Sequence, residues 1–225
     1  MVLSLFLRTF GVMKKIHCIS GLGADERIFK NLSIPGVDLV HVPWAPFDHH
    51  DEIPCYAQKM SAQIKEKNPI ILGLSFGGML SMEIAKLRQV EKIFLISSAK
   101  TKNELVQGTG GFLKFLIMHE IIPASMFTAP NFVIANRFGA KTGKEKKLLA
   151  EILMATDPYF VKWAMKALLL WQNEVYPKQT IHIHGTADKI ILPINIEPDY
   201  WIEGGTHMMV YNRAEEISKI IAENL

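Results

Sequence analysis

Apolar and polar positions along the chain follow two alternating patterns. Lys15–Ser20, Asp38–Val42, Pro69–Leu74, Lys92–Ser97 and Thr180–His184 have strand length and are rich in β-branched residues. Tyr200–Glu203 is a weaker sixth run. Ile70–Leu74 is apolar on both of its faces, as expected of a parallel strand covered by helices above and below. Helical spacing marks Pro54–Lys67, Gly77–Leu87 and Ala214–Asn224 between and after these runs. The alternation predicts an α/β fold: a mostly parallel central sheet flanked by helices, wound with right-handed crossovers.

The stretch from Lys100 to Lys178 breaks this rhythm. It has no strand pattern, only helix-like segments at Phe112–Glu120, Lys144–Ala155 and Tyr159–Glu174, and it is rich in Phe, Trp and Met. A structureless loop of that length is foreign to a compact domain, so residues 100–178 are predicted to be an inserted helical cap. The core would then comprise residues 13–99 and 179–225.

Composition narrows the function. A chain of 225 residues is of single-domain size and buries a core without staples. Its net charge of +3 is too small and too scattered to make nucleic acid the expected partner. Two cysteines cannot form a disulfide framework, which fits a reducing compartment or simple indifference to redox, and a cytoplasmic setting is expected. Ile121–Asn136, a long uncharged stretch, is interrupted by Pro123 and Pro130 and is shorter than the ~20 apolar residues a membrane span needs. Met1–Val12 is apolar around Arg8 but lacks a basic leader and a small-x-small cleavage site, so a secretory signal is not expected. It reads either as an extra edge strand or as residues upstream of a natural start at Met13. No feature fixes an oligomeric state.

The sharpest chemical signal is Gly73-Leu74-Ser75-Phe76-Gly77, followed by Gly78. It lies between a predicted strand and a predicted helix, where a serine on a strained turn is presented to solvent as a nucleophile. The helix start behind it offers N–H groups to a developing oxyanion. A serine hydroxyl needs a base, and the base needs an orienting acid. Asp188 lies in a turn after His184-Gly185, and His207 follows Gly204-Gly205-Thr206. All three candidates fall at the carboxyl ends of predicted strands, where α/β sheets gather their chemistry.

Taken together, Ser20-Gly21-Leu22-Gly23 after the first strand, GLSFGG at the turn, HGTAD and GGTH resemble the α/β-hydrolase superfamily, in its small capped form, over nearly the whole chain from Lys15. The resemblance implies Ser75 as nucleophile, His207 as general base and then acid, and Asp188 as the carboxylate that orients it. It also implies an oxyanion hole made by the backbone N–H groups of Phe76 and Leu22. Many members carry His-Gly where this chain has Ser20-Gly21, which puts a supporting hydrogen bond in question. Some relatives take their acid from the strand before the cap, where Glu104 lies; Asp188 is preferred because its strand-glycine-turn setting is complete.

The implied activity is a cofactor-independent carboxylesterase-like hydrolysis of a small or medium ester with an apolar part. Thioester, lactone and C–C bond cleavage use the same residues, and a non-catalytic ligand-binding homologue is the alternative from another class. Metal chemistry is not expected. His182 and His184 alternate with Ile181 and Ile183 and read as structural, while His49-His50-Asp51 reads as a helix start capped by Asp51. Arg137, Lys141, Lys144, Lys146 and Lys147, offset only by Glu145, read as a solvated face, or else as a handle for a phosphate-bearing substrate.

Overall fold

The computed structural model describes residues 13–105 and 116–225. The expected elements in Met1–Val12 and the first part of Phe112–Glu120 therefore lie outside the described residues. Among those described, six parallel strands form one sheet: β1 (Lys14–Ile19), β2 (Val37–His41), β3 (Ile70–Leu74), β4 (Lys92–Ile96), β5 (Thr180–Gly185) and β6 (Tyr200–Ile202), in the order β2-β1-β3-β4-β5-β6. Each sequence-predicted strand is present, with no end shifted by more than one residue.

Side chains alternate across the sheet and feed two apolar layers. Ile16, Leu72, Phe94, Ile183 and Ile202 face one layer, which receives helix Ala214–Glu223 through Ile217, Ile220 and Ile221. Ile19, Ile71, Ile93 and Leu95 face the other, covered by α1 (Ile53–Ser61) and α2 (Phe76–Leu87). A strand with apolar residues at every position is thus explained by cover on both faces.

Between β4 and β5 the chain forms α3 (Phe132–Phe138), α4 (Gly143–Ala155) and α5 (Pro158–Leu170). Thr142 and Glu145 close a reciprocal capping box at the start of α4. Pro158 opens α5 where its missing N–H costs nothing. These helices split between the layers. Leu148, Leu149 and Ile152 of α4 join the first layer, and Phe160, Trp163, Ala164 and Ala167 of α5 join the second. Trp163 packs against Tyr56 with ring centroids 4.7 Å apart, and Trp171 donates its indole N–H to Glu83 at 2.8 Å. The short α6 (Met209–Asn212) and α7 (Ala214–Glu223) complete the chain. No helix among the described residues is long and apolar enough to cross a membrane.

Candidate active site

Ser75 stands alone between β3 and α2, at φ 51° and ψ −119°. A non-glycine residue in the positive-φ region is strained by about 1–3 kcal/mol and persists only where its surroundings over-determine it. The glycines explain how they do. A Cβ on Gly77 would lie 2.2 Å from the Ile19 carbonyl oxygen, and one on Gly78 would lie 2.3 Å from Ser98 Oγ. Strand, turn and helix therefore close to direct backbone contact. The Ser75 N–H donates to the Ile96 carbonyl at 3.0 Å, while Gly78 N–H and the Ser98 hydroxyl donate to the Ser75 carbonyl at 2.9 and 2.6 Å.

The structure brings Ser75, His207 and Asp188 into one line. His207 Nε2 is 3.0 Å from Ser75 Oγ, and His207 Nδ1 is 2.8 Å from Asp188 Oδ2. Asp188 is nearly fully buried and its other oxygen accepts the N–H groups of Ile190 at 2.8 Å and Ile191 at 3.0 Å. Burial pushes its pKa up, but the attraction and hydrogen bond of His207 and the Ile190 N–H outweigh that and hold it below the ordinary value. An ionised carboxylate only accepts, so Nδ1 of His207 donates and Nε2 of the neutral ring is left to accept the Ser75 proton.

Acid and base loops lock to each other. Ala187 N–H donates to the Gly205 carbonyl at 2.9 Å, Gly204 N–H donates to Thr186 Oγ1 at 2.8 Å, and a Cβ on Gly185 would lie 2.2 Å from the Gly205 oxygen. His184, buried below this pair, donates from Nε2 to the Ile191 carbonyl at 3.0 Å. It thereby holds the turn that offers two N–H groups to Asp188.

The loop after β1 passes beside the serine, since a Cβ on Gly21 would be 3.3 Å from Ser75 Cβ. Among the described residues no carbonyl accepts from the N–H of Leu22, which follows Gly21, or of Phe76, which follows Ser75. Ser20 helps to fix this loop: its hydroxyl, 3.5 Å from His41 Nε2, donates to the Ala24 carbonyl at 2.6 Å, which also accepts the Trp44 indole N–H at 2.8 Å. From the inserted segment, the Thr156 hydroxyl donates to the Gly23 carbonyl. The Phe138 ring meets His207 edge-on at 5.4 Å.

The remaining candidates are occupied otherwise. Glu104 is buried, accepts the Lys100 N–H and lies 3.6 Å from the Lys100 ammonium; burial raises its pKa despite these contacts. His182 and His184 face one side of β5, are buried, and meet edge-on at 5.5 Å. Burial lowers the pKa of both, that of His182 strongly. Among the described residues no three His, Cys, Asp or Glu side chains gather as metal ligands. Asp51 does not cap α1 as expected: Glu52 holds that position without a side-chain bond, and Asp51 instead accepts from Asp48 N–H and Lys59. A cleft of about 260 Å³, lined by His49, Glu120, Tyr159, Lys162, Trp163 and Lys166, contains none of the Ser75–His207–Asp188 line. Its lysines are both paired with Glu120.

Sequence reasoning missed Ser98, Thr156, Phe138 and His184 as supports. Ser98, Thr156 and Phe138 act across longer stretches of chain and belong to no local motif, whereas His184, the first residue of HGTAD, acts on Ile191 seven residues on and was read only as structural.

No protein-family model matches the chain, and no curated protein matches it by sequence. Solved structures do match in fold. A lipase-esterase related protein from Clostridium acetobutylicum superposes with a TM-score of 0.70 at 16% identity, covering 94% of each chain. A hydrolase from Oleispira antarctica gives 0.70 at 17% identity, covering 95% of this chain and 91% of that one. An epoxide hydrolase from Bacillus megaterium gives 0.68 at 9% identity, covering 94% and 93%. The chain has the α/β-hydrolase fold. Since this fold carries several chemistries, the reaction must be argued from the residues.

Proposed function

We propose that the protein is a serine hydrolase that cleaves small or medium apolar esters through an acyl-enzyme. The observation that carries this reading is the unbroken hydrogen-bonded line from Ser75 through His207 to a buried, ionised Asp188. Ser75 Oγ attacks the ester carbonyl as His207 Nε2 takes its proton, and Asp188 stabilises the imidazolium that forms. The tetrahedral oxyanion is received by the N–H groups of Phe76 and Leu22; a single donor of this kind is worth about 2.7–4 kcal/mol in related chemistry. His207 then protonates the departing alcohol, the acyl group stays on Ser75, and His207 activates the water that releases it. The two cysteines stand as free thiols, which supports a cytoplasmic setting.

Intact-mass analysis after treatment with a fluorophosphonate probe tests the assignment. One probe adduct is expected on the wild-type chain and none on Ser75→Ala, with ester turnover lost in that variant and its melting temperature retained. Equal turnover by Ser75→Ala would sink the reading. An unlabelled wild type would instead bring the ligand-binding homologue forward. A panel of oxygen esters, thioesters and lactones of rising chain length then separates the reactions that share these residues.

A further inference from the structure

Helix α3 presents two faces that differ in kind. Ile134, Ala135 and Phe138 pack on the core layer, while Phe132 and Val133 stand in solvent, Phe132 with 77% of its surface exposed. Val133 and Arg137 are four residues apart and share the outer face. At the inner end, the Phe138 ring touches His207, and the Phe138 carbonyl accepts the Met208 N–H at 3.2 Å. Six residues at a rise of 1.5 Å place the exposed end roughly 9 Å along the helix from that ring.

The same helix is tied to the loop that follows Asp188. Arg137 donates to the Lys189 carbonyl at 3.3 Å, and the Lys189 ammonium lies 3.4 Å from Asn136 Oδ1. That loop exposes Ile190, Leu192 and Ile194, the last at 79%. A scattered exposed apolar residue needs no explanation. Here two cross-bonded elements, one touching His207 and the other carrying Asp188, both turn apolar side chains outward.

Charge completes the surface. Arg137, Lys141, Lys144, Lys146 and Lys147 are all exposed. Glu145, the acid among them in sequence, is buried, and its carboxylate accepts the Lys141 and Thr142 N–H groups and the Asn212 amide. Residues 137–147 therefore present cations outward and withdraw their anion; outside that stretch, Glu151 approaches Lys147 at 3.9 Å.

We propose that α3, the start of α4 and the loop 189–194 form a docking surface for an anionic lipid bilayer. The apolar side chains enter the headgroup layer and the cations lie against the lipid phosphates. A nucleic acid would engage the same cations but leave Phe132, Val133 and Ile194 in water. Docking itself requires only this surface; the further consequence, delivery of a lipid-borne ester to Ser75, rests on the hydrolase reading.

The test uses the full chain with Ser75→Ala, so that lipid is bound and not consumed, and cosedimentation with phosphatidylcholine vesicles with and without phosphatidylglycerol. Binding is expected only to the mixed vesicles and should fall steeply with added salt. Each cation near the surface contributes roughly fivefold to partition. The pairs Phe132→Asp/Val133→Asp and Lys144→Glu/Lys146→Glu should each reduce partition at least about tenfold, with melting temperatures unchanged. A chain that ignores the mixed vesicles, or binds them equally with either pair substituted, overturns the proposal. So does heparin binding as tight as vesicle binding with both retained by Phe132→Asp/Val133→Asp. With Ser75 restored, that variant should keep its rate on a water-soluble ester and lose rate on an ester embedded in vesicles. Vesicle binding without hydrolysis of either ester would overturn the hydrolase reading and leave docking standing.

Discussion

The two halves of the candidate site are held in place by different means. The serine half is fixed by backbone against backbone: Gly73, Gly77 and Gly78 let β3, the turn and α2 touch, and β1 and β4 close on them. The acid–base half adds side chains to its backbone bonds, with His184 under the Asp188 turn and Phe138, from a distant part of the chain, beside His207. The first half has no spare volume but needs few partners. The second has a backbone approach just as close, between Gly185 and Gly205, and depends besides on several hydrogen bonds being present together.

The sharpest way to break the serine half is a single methyl group. In Gly77→Ala the added carbon would meet the Ile19 and Ser20 carbonyl oxygens at 2.2 and 2.4 Å, and neither belongs to a flexible side chain. Overpacking of this kind costs about 3 kcal/mol. For a chain of this size that lowers the melting temperature by roughly 6–12 °C. Because the displaced backbone leads directly into Gly21-Leu22, ester turnover should fall with it. A melting temperature within a degree or two of wild type would show that the close approach is not what the turn requires.

In the other half the informative change is at His184. His184→Phe keeps the ring volume and removes the donor to the Ile191 carbonyl, leaving a buried acceptor unsatisfied at about 1–3 kcal/mol. The turn that feeds two N–H groups to Asp188 then loosens, and kcat should drop on the order of tenfold with KM unchanged. His184→Gln, which keeps an N–H donor, should restore most of kcat. Equal kcat in both variants and the wild type would reduce His184 to core filling.

This difference also governs what could be read from the sequence. The elbow was legible because its glycines and serine are neighbours in the chain, and each answers a local steric demand. Asp188 and His207 were legible in position, since each follows a strand and a glycine, but not in support. Thr156 reaches Gly23, and Phe138 reaches His207, across long stretches of intervening chain, so no local spacing could reveal them. The inserted helices were expected over residues 100–178, and α3 was not separately visible because only seven residues form it. That α4 and α5 enter opposite layers of the core depends on tertiary packing, which periodicity within one helix does not encode. The Asp51 reading failed because Lys59, eight residues on, competes for the carboxylate more effectively than the helix start does.

Acid separates the halves by titration. The buried rings of His182 and His184 have pKa values pushed below the ordinary value, in both cases chiefly by burial; for His182 the neighbouring His184 and Lys100 charges act in the same direction. Below about pH 6.5 the unfolded chain takes up protons that the folded rings refuse, so stability falls as pH falls through that window. The slope approaches about 1.4 kcal/mol per pH unit for each histidine involved. Asp188, with its pKa lowered, adds a further loss only at more acid pH, as its folded-state value is crossed. Urea midpoints at pH 7, 6 and 5 should therefore decline in the wild type and decline less in His182→Leu, whose stability relative to wild type improves as the medium becomes more acid. Parallel declines would mean that His182 keeps its ordinary affinity for protons inside the fold. Burial also lowers the pKa of His41, whose Nε2 is 3.5 Å from Ser20 Oγ on the serine side, but the most strongly shifted ring, His182, lies on β5. The acid-induced loss should therefore begin in the β5 half of the sheet, and the amide exchange of Asp188–Ile191 should accelerate before that of Ser75–Met79.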